Sequence, residues 1–253
     1  MKRYTREPDA WRVLTERDKE IVKAVFEARY LTNVEIGNLF FGGKVSSQCK
    51  TRLRFLYNLG MLDKRVGYIN ERDIYFLGEA GIAYIAKAHP SYSKWEVKKI
   101  AGVPATTKAP NIFMEHELTL SRLYTRARLE AAQLGYRLMW KNTAALKLEK
   151  LGFYPDGWLK VYNGHTSEAY LEFTADLTSV ASKPELYDRH LPTAKVLWVT
   201  TSNDKLDKIG MAIAQSRTPS RFYLALLEDC RGFLSKSVWR VFDGEWQWRS
   251  FVG

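Results

Sequence analysis

Between residues 45 and 77 the chain switches from the hydrophobic period of a helix to that of a hairpin, and this switch constrains the fold more than any other stretch. Ser46 and Ser47 are capping residues, residues 48–59 run without Pro or Gly, and Gly60 supplies the left-handed residue that commonly ends a helix. At 3.6 residues per turn Cys49, Leu53, Leu56 and Leu59 share one side, while Ser47, Lys50, Thr51, Arg54 and Asn58 share the other. One face packs and the other faces outward. Residues 61–66 and 73–77 then have strand composition, joined by a polar turn that contains Gly67, Asn70, Glu71 and Arg72.

The preceding residues supply two more helices. Residues 1–13 are polar, carry Pro8 and are expected to be a flexible lead-in. Thr15 opens a helix with Asp18 at the capping-box position and an apolar stripe of Ile21, Val22, Val25 and Phe26. Tyr30 and Leu31 make a short break, Thr32 caps a second helix with Val34, Ile36, Leu39 and Phe40, and Gly42 and Gly43 end it. A further apolar-periodic segment covers residues 79–88. Three helices and then a hairpin is the order of a winged helix-turn-helix, in which the third helix enters the major groove and the hairpin touches the backbone or minor groove. The expected DNA contacts are Ser47, Lys50, Thr51, Arg54 and Asn58 from the helix, and Lys64, Arg65 and Arg72 from the wing.

Charge agrees with such a partner. The chain has 253 residues and a formal net charge of +11, which favours a polyanion, nucleic acid before an anionic membrane surface. Residues 1–90 hold 16 Lys/Arg against 11 Asp/Glu and residues 91–253 hold 23 against 17, so neither part is a basic tail. Cys49 and Cys230 lack metal-ligand or redox spacing, the four histidines are scattered, and no apolar run approaches the roughly 20 residues that span a bilayer. A cytoplasmic protein without zinc is expected.

Pro90, Pro104 and Pro110 mark residues 91–111 as a connector, with a short helix near residues 93–100 that carries Lys94, Lys98 and Lys99. A winged-helix domain over residues 14–90 and a second domain over 112–253 follow. In the second, residues 112–134 are helical, strand-like runs occupy 137–140, 152–162, 168–174, 195–201 and 222–227, and helices are expected at 183–190 and 203–216. Residues 196–199, Val-Leu-Trp-Val, are apolar on both pleat faces, as in a central covered strand. The fold class expected is therefore α+β and α/β, the second domain holding a mixed sheet.

Asp156 follows Pro155 beside one strand and Glu172 lies within the next, an order similar to the sheet core of PD-(D/E)xK nucleases, whose carboxylates hold Mg²⁺ and whose Lys orients water. Asp156 and Glu172 are thus the candidate catalytic and metal-binding residues, with Glu117 as an extra carboxylate. Thr174 stands where the nuclease Lys is expected, leaving Lys160 or Lys183 as substitutes. The domain is weighed as an inactive scaffold ahead of an active Mg²⁺-dependent endonuclease, with no cofactor on the first reading. Near the carboxyl end Trp239, Trp246 and Trp248 flank an Asp243-Gly244 turn; a hairpin is the ordinary account, a stacking platform or dimer contact the alternatives.

Leu14-Thr15-Glu16-Arg17-Asp18, Tyr30-Leu31-Thr32, Arg52-Leu53, Leu59-Gly60-Met61-Leu62, residues 75–81 (Tyr-Phe-Leu-Gly-Glu-Ala-Gly), His116-Glu117-Leu118, Pro155-Asp156 and Leu171-Glu172 occur in the order seen in the replication-relaxation family of plasmid and mobile-element proteins, which the chain resembles over most of residues 14–227. Thr174 departs from a second acidic residue frequent in that family. The resemblance implies a winged helix joined to a degenerate restriction-endonuclease-like domain, acting in plasmid replication, relaxation or mobilisation. Double-stranded DNA, a second copy of the chain, and replication or mobilisation proteins are the expected partners, and a winged-helix transcriptional regulator is a further alternative.

Overall fold

The computed structural model describes residues 11–69, 72–102, 111–175, 180 and 182–252. Most of the expected lead-in, Asn70 and Glu71 of the expected turn, and Pro104 and Pro110 of the expected connector lie outside them. The fold is mixed α+β, in two compact units that divide between Thr125 and Arg126.

In the first unit, α1 (Glu16–Ala28) starts at Thr15 and closes a capping box with Asp18. A two-residue strand, β1 (Leu31–Thr32), leads into α2 (Asn33–Phe40), which has a second capping box between Thr32 and Glu35. Ser46 caps α3 (Ser47–Asn58), and Gly60 follows at φ 71°. The hairpin is β2 (Leu62–Ile69) and β3 (Arg72–Leu77), and β1 adds antiparallel to β3, giving the sheet order β1-β3-β2. The break expected at Tyr30-Leu31 thus runs into a strand at Leu31, too short for a period of two to show. Leu31 pairs with Tyr75 and Thr32 with Ile74. Next come α4 (Glu79–Ala88) and α5 (Lys94–Ala101).

The apolar side foreseen for α3 is inward: Cys49, Leu53 and Leu56 are buried. Its tilt is fixed by an ion pair. Asp18 is fully buried, accepts the Thr15 backbone N–H and hydroxyl at 2.7 Å each, and also receives the Arg52 guanidinium, whose Nε lies 2.5 Å from Oδ1. Burial alone would raise the Asp18 pKa, but hydrogen bonds from Arg52 and Thr15 outweigh it and hold the carboxyl below its ordinary value. The turn before α3 is closely packed too, since a Cβ on Gly37 would lie 2.9 Å from the Lys44 carbonyl carbon.

The unit boundary falls later than residue 112, within α6 (Asn111–Leu134). Composition placed it at the prolines, but Met114 and Leu118 of α6 pack with Tyr30, Ile74 and Phe76. The Ser121 hydroxyl also donates to the Tyr30 carbonyl at 2.5 Å.

The second unit is a seven-stranded mixed sheet in the order β10-β9-β8-β7-β6-β5-β4. Its strands are β4 (Arg137–Asn142), β5 (Gly157–Tyr162), β6 (Thr166–Thr174), β7 (Val196–Thr200), β8 (Phe222–Leu226), β9 (Trp239–Asp243) and β10 (Glu245–Arg249). A four-residue helix, α7 (Thr143–Leu146), follows β4, while α8 (Lys183–His190) and α9 (Asn203–Ala214) link the parallel strands β6, β7 and β8. Helical crossovers are what parallel neighbours require. β7 is the middle strand and every residue in it is buried, as its two-faced apolar run implies. Residues 152–156 were expected to be strand but stay outside the ladder. The expected Trp hairpin is β9–β10, with Trp239 fully buried and Trp248 61% exposed.

Arg52→Ala leaves a buried carboxylate without its cation and is expected to lower stability by about 2–3 kcal/mol at pH 7. Because the Asp18 pKa is depressed on folding, its contribution is present above the ordinary aspartate value of 3.8 and lost as pH falls below it. Denaturant titrations should therefore show the gap between native chain and variant shrinking as pH is taken down through that range.

Candidate functional site

The outward side of α3 stands as a ridge between two hollows of the first unit. One, of about 430 Å³, is lined by Asn33, Ser47, Lys50, Thr51, Arg54, Tyr57, Lys64 and Asp73, among others. The other, of about 420 Å³, is lined by Arg17, Phe41, Ser47, Gln48, Thr51 and Arg52, among others. Ser47 and Thr51 border both. Helical period explains the arrangement: residues 47, 50, 51 and 54 lie on one stripe, and Ser47, Lys50, Thr51 and Arg54 are all exposed. A helix ridge flanked by depressions can enter a groove, with polar and cationic ends aimed at its floor and rims.

Of the cations expected on the hairpin, Lys64 joins this surface and Arg65 does not. Pairing of Lys64 with Tyr75 and of Arg65 with Ile74 puts the two cations on opposite faces of the pleat. Arg72 shares the face of Ile74, two residues on, whereas Asp73 and Tyr75 share the face of Lys64. The expected contact residues thus do not all share one surface. Asn58, Arg65 and Arg72 are each half-buried and line neither hollow. Lys64 Nζ is 3.1 Å from Asp73 Oδ2 and 5.9 Å from the Tyr57 ring, so one cation here is partly neutralised. Asp73, Tyr57 and Asn33 escaped the sequence analysis, since only hairpin register brings Asp73 towards α3. Burial first, then Asp73, raises the Tyr75 pKa and keeps this phenol protonated.

In the second unit Asp156, Glu172 and Lys183 form an interacting group. Glu172 is fully buried on β6, opposite Trp198 of β7. Its Oε2 receives the ammonium of Lys183 from α8, and its Oε1 accepts the Tyr187 hydroxyl at 2.8 Å. Asp156 Oδ2 accepts the Phe173 backbone N–H at 2.8 Å. That donor lies beyond the last rung of the β5–β6 ladder, which ends at Gly157 and Leu171, so the side chain prolongs the pairing. The basic partner of Glu172 is thus Lys183; Lys160 pairs with Glu168 at 3.2 Å. Thr174 accepts the Trp198 indole N–H at 2.8 Å. Glu117 is held by Arg29 in the first unit, at 3.1 Å from Nη1.

Burial, then the Asp156 carboxylate, pushes Glu172 up to about 7, against the opposing pull of Lys183 and Tyr187. Burial would lower Lys183, but Glu172 and Asp156 outweigh it and raise its pKa. Burial, then Glu172, also raises Tyr187 well above a free phenol. Both Glu172 oxygens already accept protein donors, so Mg²⁺, which requires octahedral oxygen ligation, would have to compete with Lys183 and Tyr187 for this carboxylate. Among the described residues no three His, Cys, Asp or Glu side chains gather as a metal-ion ligand set, and no helix is long and apolar enough to cross a membrane.

Compared with protein-family models, curated proteins and solved structures, the chain matches none.

For Glu172 the folded pKa is raised, so its contribution to stability is greatest below the ordinary 4.5 and declines as pH rises towards about 7. The native chain should lose on the order of 3 kcal/mol more than Glu172→Gln between pH 4.5 and 7.5, since each tenfold change in proton affinity is worth about 1.4 kcal/mol. Denaturant midpoints at the two pH values measure the difference, and parallel slopes for the two proteins would contradict the assignment.

Proposed function

We propose that the chain is a double-stranded DNA-binding protein of a plasmid or other mobile element. On this reading the first unit is a winged helix-turn-helix, α3 lies in the major groove, and β2–β3 is the wing. The observation that carries it is the α3 ridge, with Ser47, Lys50, Thr51 and Arg54 exposed together and Lys64 beside them. The order α1-β1-α2-α3-β2-β3 and a net charge of +11 support it. Arg54 is the strongest candidate for base recognition, because a guanidinium fork matches the O6 and N7 edge of guanine. Ser47 and Thr51 are placed for base edges or phosphates, and Lys50 and Lys64 for phosphates.

The second unit is proposed as a nuclease-like scaffold without cleavage chemistry, in which Glu172, Lys183 and Tyr187 tie α8 to the sheet. It serves self-association and contact with replication or mobilisation proteins, the role implied by the resemblance to the replication-relaxation family. A dimer on repeated half-sites is the oligomer this reading anticipates.

A duplex selected from a randomised pool tests the interface. Lys50→Ala with Arg54→Ala should weaken its binding about 10- to 1000-fold in a mobility-shift titration at 100 mM salt, on a scale of about 1–3 kcal/mol for the Arg54 base contact with the loss of the Lys50 phosphate contact added to it. Arg54→Ala alone should also relax sequence preference, and Lys50→Ala should flatten the salt dependence. Unchanged affinity in the double variant would remove α3 as the DNA-reading element. Supercoiled plasmid incubated with Mg²⁺ or Mn²⁺ should stay uncut; nicking abolished by Asp156→Ala would overturn the scaffold reading.

A further inference from the structure

One face of the second unit's sheet is covered only in part. Trp198, Phe222 and Leu224, from β7 and β8, pack beneath α8 and α9. Tyr170 and Glu172 of β6 stand opposite Val196 and Trp198, so they share this face. On the same face, β4, β5 and the start of β6 present another surface. Arg137 stands opposite Tyr162, Met139 opposite Lys160, and Lys141 opposite Trp158. Across the next ladder Trp158 stands opposite Tyr170, and Lys160 opposite Glu168. The alternate residues Trp140, Leu159, Val161 and Ala169 are buried on the reverse face, whereas Tyr162 is 55% exposed and Met139 46%.

This surface interleaves ring faces with cations. Along β5, Trp158 and Tyr162 lie about 13 Å apart at the usual rise per residue, with Lys160 between them on the same side. Lys141 Nζ lies 4.7 Å from the Trp158 ring centroid. Lys141 also pairs with Glu149 at 2.5 Å and Lys160 with Glu168 at 3.2 Å. All four of these side chains are about a third or more exposed, and ion pairs of that kind exchange readily for a phosphate. A ligand suited to the surface carries a flat unpaired ring and an anion in each repeat unit. Single-stranded nucleic acid has both; a duplex hides its base planes within the stack.

We infer that the open face of β4, β5 and β6 binds single-stranded DNA, with bases stacking on Trp158 and Tyr162 and phosphates at Lys160, Lys141 and Arg137. The choice of DNA over RNA rests on the duplex-binding function proposed above; the stacking surface does not. A protein that reads a duplex with α3 and holds a separated strand here would act on DNA as it opens.

Fluorescence anisotropy of labelled dT20 with the full chain at 50 mM salt is the test. The native chain should bind, and Trp158→Ala with Tyr162→Ala should weaken binding at least tenfold while leaving duplex binding unchanged. Arg137→Glu with Lys160→Glu should weaken dT20 as strongly, and this pair decides the matter if the aromatic variant does not fold by circular dichroism. Absence of dT20 binding by the native chain, or native-like affinity in a folded variant, would overturn the inference. So would a tenfold preference for rU20, or variants that break a dimer in sedimentation while dT20 binding persists. Failure of the Lys50 and Arg54 substitutions to affect duplex binding, with dT20 binding intact, would count against the α3 reading alone.

Discussion

The orientation of α3 depends on a single buried carboxylate. Asp18 closes the first turn of α1 and, thirty-four residues away in sequence, holds Arg52. A charge fully removed from water has to be compensated by hydrogen bonds and an opposite charge, so the pair permits little rotation of α3 about its axis. Arg52 and Arg54 are two residues apart and therefore about 200° apart around the helix. Holding the first against α1 obliges the second to face water. The positive charge of this short helix is in this way divided between structure and contact.

Much of that arrangement was legible beforehand because it rests on local rules. Thr15 with Asp18, Ser46, Gly60, and the spacing of Cys49, Leu53 and Leu56 specify the helices of the first unit without reference to distant residues. The part that could not be read is what register decides. Asp73 reaches Lys64 only because β2 and β3 pair as they do, and Arg65 and Arg72 fall on the opposite face of the pleat for the same reason. Capping signals in a linear sequence show where an element starts; they say nothing about which of two faces a hairpin residue will take once a bulge intervenes between Arg65 and Ile69.

The second unit shows the same division. The apolar run at residues 196–199 announced a central strand, and the helices at 183–190 and 203–216 were visible from their periodicity. Pairing of Glu172 with Lys183 was one of two options that spacing left open, and burial of the pair was not foreseen. A carboxylate in the middle of a strand is equally compatible with an open metal site and a closed structural tie. Tyr187 and Trp198 pack around Glu172, and its hydrogen bonds to Lys183 and Tyr187 join helix to sheet. Glu130 is a parallel case, a buried helix carboxylate that accepts the backbone N–H groups of Leu234 and Ser235 at 3.0 and 2.9 Å and secures a long loop.

Strand β4 closes one margin of the seven-stranded sheet and, among the described residues, leaves a row of backbone donors and acceptors without a neighbouring strand. Its six residues include Arg137 and Lys141 and no acidic side chain. A second copy approaching margin to margin would bring these like charges together, so the sheet resists growing into a ribbon through this side. Of the sheet's two edge strands, β4 and β10, the first is in this way guarded against pairing with its own copy.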